Sequence, residues 1–372
     1  MGKYLLKEVC DITYGFAFDS KRFSSDSTIG LPVIRIRDLK EGTSHTYTDE
    51  TCDDRYSVHD GDFLIGMDGE FNIVEWQGGD ALLNQRVCKI RSSSDDMLSN
   101  FLPYVLADEL KRIESQTSFV TVKHLSAKVL NRIQFALPSV DRQREIVAIL
   151  KTLQSEIAIS EQMLAKADEL IQSRFVEMFG SATNVNLSDI CDFYSGGTPS
   201  KKKADYWDGT LPWFSPKDMK QPNLSDSTDH INDIVIEQTN LKLLPADTVA
   251  VVVRGMILAH DVPIALLMVP ATINQDMKAL LPKRDCNPVF LAEAVRNQEA
   301  FLLSETGSSA HGTKKIDTEV LGAVQIPEVS LSLQNEFAEF VTSVESLKST
   351  TQQQLDRLNT LYASLTQRYF MV

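Results

Sequence analysis

DRQREIVAILKTLQSEIAISEQMLAKADELIQSRFVEMFG (Asp141–Gly180) and SLQNEFAEFVTSVESLKSTTQQQLDRLNTLYASLTQRYFM (Ser332–Met371) can be laid one over the other. At a constant offset of 191 they share Gln143/Gln334, Glu145/Glu336, Ser155/Ser346, Gln162/Gln353, Leu164/Leu355, Leu170/Leu361, Ser173/Ser364 and Phe179/Phe370, without a gap. Apolar residues recur at alternating spacings of four and three. In the first stretch they are Ile146, Leu150, Leu153, Ile157, Leu164, Ala167, Ile171 and Met178; in the second, Phe337, Val341, Val344, Leu355, Leu358, Tyr362, Leu365 and Tyr369. This is a heptad seam of about five repeats, interrupted at Ser160/Thr351, Arg174 and Lys348. Neither stretch holds an internal Gly or Pro before Gly180, which stands where a helix-ending glycine belongs. Asp141 and Ser332, after Pro138 and Pro327, read as N-caps. The alternatives are two unrelated amphipathic helices, each packing on its own domain, and a mutual antiparallel pair; equal length and register favour the pair.

The repeat extends over the rest of the chain. Leu6, Cys10-Asp11 and Gly15 match Leu187, Cys191-Asp192 and Gly196 at 181, and Leu31-Pro32, Asp38 and Lys40 match Leu211-Pro212, Asp218 and Lys220 at 180. Asn84-Gln85 match Asn274-Gln275 at 190, and Thr121 and Lys123 match Thr313 and Lys315 at 192. A drifting offset is what loops of unequal length produce; a fixed one belongs to a rod. The expected organisation is a globular domain over 1–140, a helical spacer over 141–180, a second globular domain over 181–331 and a second spacer over 332–372. The globular parts read as α+β. Strand-like runs are Leu31–Arg37, Phe63–Met67, Arg86–Arg91, Arg132–Leu137, Val249–Val253, Ile264–Val269 and Val324–Ile326, and helical ones are Asn100–Ser115 and Pro288–Ser304.

The 372 residues, 43% hydrophobic and 24% charged, suit two or three ordinary globular domains rather than a disordered chain. No apolar run reaches membrane-spanning length, and Glu8 and Asp11 precede any hydrophobic region, so neither a membrane span nor a secretory leader is expected. Five cysteines without a CxxC pair point to reduced thiols and a cytoplasmic setting. The net charge of −14 divides as −5, −2, −6 and −1 over the four segments, so any nucleic-acid contact must rest on local basic loops. No phosphate-binding glycine loop, nucleophile elbow or metal-ligand spacing occurs. The six histidines (His45, His59, His124, His230, His260 and His311) are scattered. A non-catalytic chain is the expectation, with no metal site.

Basic and aromatic residues gather instead in the loops of each half. The first offers Lys21, Arg22, Arg35, Arg37, Lys123 and His124; the second offers Lys201, Lys202, Lys203, Tyr206, Trp207, Lys217, Arg254, Lys314 and Lys315. Arg and Lys can neutralise phosphates, and Arg can also read a guanine edge bidentately. A run of three lysines is by itself more often a solvated surface. Arg35 and Arg37 alternate, so on a strand they would share a face.

Several of these segments resemble one family. GFAFDSKRF (Gly15–Phe23), GGTPSKKKADYWDGTLPWFSPKDMK (Gly196–Lys220), SSAHGTKKI (Ser308–Ile316), IPEVSLSLQNEF (Ile326–Phe337) and FVEMFG (Phe175–Gly180) are similar to segments of the specificity (S) subunits of type I restriction-modification systems. The likeness covers essentially the whole chain. In the first half, Thr121-Val122-Lys123 stands where the second has Gly312-Thr313-Lys314-Lys315.

The resemblance implies an α+β fold: two target recognition domains in tandem repeat, separated by two long helices that form an antiparallel coiled coil with pseudo-two-fold symmetry. It implies no catalytic residue and no cofactor on this chain. Each domain would read one half of a split target in double-stranded DNA, and the helices would set the gap. The helical region would dock two methyltransferase (M) subunits carrying S-adenosylmethionine, to which two restriction (R) subunits using ATP and Mg²⁺ can add. A helix of this length spans ~58 Å, which places two readers about one DNA turn apart, each reading ~3–5 bp around a gap of about six. The rivals are an enzyme in its own right, a coiled-coil adaptor binding proteins, and a specificity subunit of a modification-only system.

Overall fold

The computed structural model describes residues 3–116, 123–308 and 313–370. Thr121, Val122, His311 and Gly312, which entered the readings above, lie outside the described residues. The chain divides into two units, Met1–Ser160 with Gln354–Val372, and Glu161–Gln353.

The first unit contains β1 (Lys3–Leu5), β2 (Cys10–Tyr14), β3 (Leu31–Ile34), β4 (Tyr47–Thr48), β5 (Ser57–Val58), β6 (Phe63–Gly66), β7 (Ile73–Glu75), β8 (Ala81–Leu83), β9 (Val87–Ser92) and β10 (Gln134–Ala136). One sheet has the order β2-β9-β6-β7 and is antiparallel throughout; a second has the order β4-β3-β8-β5, with β3 and β8 parallel; β1 pairs with β10. Strand β6 is buried along its whole length because both faces of its sheet are covered. Phe63 and Ile65 join a core with Leu102, Val105, Leu106 and Leu110 of the helix Leu102–Gln116, whereas Leu64 joins Ile34, Trp76 and Leu83 on the other face.

The second unit contains β11 (Asn184–Asn186), β12 (Cys191–Ser195), β13 (Leu211–Phe214), β14 (Asn223–Leu224), β15 (Asp229–Ile231), β16 (Thr248–Val252), β17 (Ile264–Leu267), β18 (Thr272–Ile273), β19 (Met277–Pro282), β20 (Gly307–Ser308), β21 (Lys314–Lys315) and β22 (Gln325–Pro327). Its sheets repeat the first unit's plan. The order β12-β19-β16-β17 corresponds to β2-β9-β6-β7 and gains β14 at its edge; β15-β13-β18 corresponds to β4-β3-β8, again with one parallel pair; β11 pairs with β22. The matched Cys10 and Cys191 begin equivalent strands, and burial pushes both thiols up to about 12. All five cysteines are free.

The long helices run Val140–Phe179 and Leu331–Phe370, 40 residues each. Asp141 and Ser332 are therefore not the caps that the sequence pointed to: both fall inside the first turn. The helices follow Ser139 and Ser330, and the Ser330 hydroxyl accepts from Leu333 N at 3.4 Å. Pro288–Ser304 also differs from the expectation of one helix. It is two, Pro288–Arg296 and Glu299–Ser304, parted at Asn297-Gln298.

In each unit the two long helices meet with opposite sense. In the first, Gln154 Nε2 donates to Tyr362 Oη at 3.0 Å, and the Arg142 guanidinium lies 5.3 Å from the centre of the Tyr369 ring. Here Ile146 and Leu150 are buried in the domain core and Tyr362 and Leu365 pack against it, while Leu153, Ile157 and Leu358 are half-buried and Leu355 is buried. In the second, Lys348 pairs with Asp168 at 2.6 Å and Arg174 with Glu336 at 3.3 Å. Ile171, Phe337, Val341 and Val344 are buried in that domain's core, beside the aromatic contacts of Phe175, Phe179, Phe290 and Phe337, and Leu164 is half-buried. Arg174 and Lys348, which interrupt the heptad, thus make the ion pairs between helices.

Candidate nucleic-acid interface

In each unit one edge is assembled from four chain segments held by backbone hydrogen bonds. In the second unit the chain leaving β16 turns at Val253-Arg254-Gly255. Val253 N donates to Asp276 O (2.8 Å), Gly255 N to Lys314 O (3.1 Å), and Ile316 N to Val253 O (2.9 Å). In the first unit the chain leaving β6 does the same: Met67 N donates to Arg86 O (3.0 Å), Gly69 N to Lys123 O (2.9 Å), and Leu125 N to Met67 O (2.7 Å). Gly69 and Gly255 both take positive φ, +74° and +146°, where a side chain would be strained. Asp68 bridges His124 as Arg254 bridges Lys315. The fourth segment is the glycine loop after β2 or β12. Phe16 N donates to Leu83 O at 2.9 Å, and Gly197 N to Ile273 O at 3.0 Å.

On this shared scaffold the side chains differ. In the second unit Arg254, Lys314 and Lys315 come together, joined by Lys278. Arg254 lies 3.8 Å from Asp276, Lys315 pairs with Asp317, and Lys278 Nζ donates to Ser195 Oγ at 2.9 Å. Burial, and then the neighbouring Lys315, hold the Lys278 ammonium below the usual lysine pKa. In the first unit Asp68 accepts from His124 Nδ1 at 2.6 Å and pairs with Arg86 at 3.2 Å. Lys123 pairs with Glu114 at 3.3 Å and its side chain is 13% exposed, so this lysine is turned into the domain.

The other candidates occupy neighbouring turns. Lys21 is exposed in the short helix Ser20–Arg22, and Arg22 pairs with Asp49 at 2.8 Å. Arg35 and Arg37 do not alternate along a strand, contrary to the expectation: β3 ends at Ile34. The Asp38 carboxylate takes Arg35 N at 2.8 Å and folds the chain into a turn, with Arg37 at its rim. Asp218 takes Ser215 N at 2.9 Å in the equivalent turn, and Lys217 stands where Arg37 does, paired with Asp229 at 2.7 Å.

Lys201 and Lys202 are exposed and make no ion pair among the described residues. Lys203 Nζ donates to Tyr206 Oη at 2.7 Å. Tyr206 is not a surface ring that a base could stack on: it is 5% exposed and packs with Trp213, Ile231 and Val235. Trp207, half-buried, packs edge-on against Trp213 at 5.2 Å.

Sequence reasoning passed over Asp68, Arg86, Asp276 and Lys278. The signal for two of them was present, because Arg86 and Asp276 directly follow the matched pairs Asn84-Gln85 and Asn274-Gln275 by one residue. A search for shared residue types overlooks an Arg aligned with an Asp. Among the described residues, no group of three or more His, Cys, Asp or Glu is placed to hold a metal ion, and no helix is long and apolar enough to cross a membrane.

Comparison with known proteins fits this architecture. The chain is 31% identical over 220 residues to the EcoR124I/EcoR124II specificity subunit of Escherichia coli, covering 58% of this chain and 54% of that protein. It is 37% identical over 167 residues to the EcoBI specificity subunit of the same organism, covering 45% and 35%. The matched part is thus about half, or less, of these relatives' length. The fold resembles that of the type I restriction-modification S subunit from M. genitalium, with a TM-score of 0.64 at 14% identity, covering 100% of this chain and 96% of that one. It also resembles a chain from a structural study of assembly and conformational transition of the type I R-M system, with a TM-score of 0.56 at 17% identity, covering 99% and 97%. The family model for the type I restriction modification DNA specificity domain matches residues 1–169 and again 181–360. The chain therefore belongs to the type I restriction modification DNA specificity domain family, with the domain present twice.

Proposed function

We propose that this chain is the non-catalytic specificity subunit of a type I restriction-modification complex, each unit reading one half of a bipartite DNA target. The observation that carries the reading is the duplicated loop scaffold: the same three backbone hydrogen bonds, in each unit, present a different set of charged side chains. A constant frame with variable side chains is what two readers of two different sequences require. The long helices fix the gap between half-sites and, with the adjoining faces of the units, dock methyltransferase subunits that carry S-adenosylmethionine. Restriction subunits with ATP and Mg²⁺ join through that assembly. A net charge of −14 opposes the counterion-release term of DNA binding, so much of the phosphate contact comes from these partners.

The test is to change the spacer. Four residues inserted near Ser160 add about one turn, ~6 Å. The methylated motif is expected to keep both half-sequences and change only its unspecified gap. Altered base preference with an unchanged gap would contradict the spacer reading.

A further inference from the structure

The two scaffolds carry the same ion pair in opposite orientation. In the first unit the carboxylate (Asp68) is on the turn after β6 and the guanidinium (Arg86) precedes β9; in the second the guanidinium (Arg254) is on the turn after β16 and the carboxylate (Asp276) precedes β19. In both, the carboxylate is the more buried partner, at 21% and 28% side-chain exposure, and the arginine is half-exposed, at 54% and 48%. A carboxylate thus lies beside an accessible guanidinium at the same edge of each domain, at 3.2 Å in the first and 3.8 Å in the second.

Resting on the function proposed above, we infer that Arg86 and Arg254 are specificity-determining residues, each reading the major-groove edge of one guanine, with Asp68 and Asp276 as their positioning residues. A guanidinium can donate two parallel hydrogen bonds to guanine O6 and N7, and it needs a defined orientation to do so. A phosphate contact is disfavoured here, since a carboxylate beside each arginine repels the phosphate. Lys201 and Lys202, exposed and without such a partner, suit the backbone instead.

The experiment uses the full chain with its methyltransferase partner and oligonucleotides bearing the methylated motif. Replacing each guanine in turn by 7-deazaguanine, which lacks the N7 acceptor, is expected to weaken binding by the wild-type complex about tenfold at one position per half-site. Arg86→Met and Arg254→Met keep an unbranched chain but remove the donors, and should relax base choice at that position alone, in the first and second half-site respectively. Asp68→Asn and Asp276→Asn should weaken discrimination at the same single base and nowhere else. Insensitivity to every 7-deaza substitution, a half-site without a G·C pair, or methionine variants with unchanged base choice would overturn the inference. A wild-type complex with no bipartite motif would instead reject the proposed function itself.

Discussion

Asp218 closes the turn that carries Lys217. Burial alone would raise its pKa, but hydrogen bonds from Thr228 and Ser215 outweigh it and hold the carboxyl below its usual range. A depressed folded-state pKa contributes stability that is present above the unfolded value of about 3.9 and is lost as the pH falls below it. Asp218→Asn should therefore be less stable than the wild type in urea melts at pH 7, and the difference should shrink below about pH 4; a pH-independent difference would contradict this. At this scale the sequence is informative about identity and silent about cause. Gly15 and Gly196 align, but only the fold shows why: a Cβ would meet Asn84 O at 2.0 Å in one and Ile273 O at 1.9 Å in the other. Tyr206 beside a run of lysines reads as a surface ring and is core, because the fold packs Trp213, Ile231 and Val235 against it.

Gln143 and Gln334, matched at the constant offset, fasten the start of each long helix to its domain. Gln143 is fully buried; its Oε1 accepts from Leu98 N at 2.9 Å, and its Nε2 donates to Asp96 O at 2.6 Å and Pro138 O at 2.8 Å. Gln334 Oε1 accepts from Asn287 N at 2.9 Å, and its Nε2 donates to Val329 O at 3.1 Å. Gln143→Leu keeps the volume and orphans these groups, each worth about 1–3 kcal/mol when buried without a partner. The loss expected in denaturant unfolding is more than about 2 kcal/mol, and a change within about 0.5 kcal/mol would contradict the anchoring role. Both long helices were legible because a 3.5-residue period over 40 residues outweighs local exceptions. Their caps and the break at Asn297-Gln298 were not, since element ends depend on a few hydrogen bonds that periodicity does not encode.

Across the whole molecule, the acidity is spread along the chain, while Arg254, Lys278, Lys314 and Lys315 come together at one edge of the second unit. Net charge argues against nucleic acid only where it is not offset locally. The duplication was legible from matched residues, and so was the tandem α+β plan. The reversed pair Asp68–Arg86 and Arg254–Asp276 was not, because matching by shared residue types passes over an Asp that aligns with an Arg. The most direct test of the central claim is genome-wide detection of methyladenine by long-read sequencing, in the source cell with and without this gene. One bipartite motif with a fixed gap is expected to disappear when the gene is removed. An unchanged methylome, with the gene and its methyltransferase partner both expressed, would contradict it.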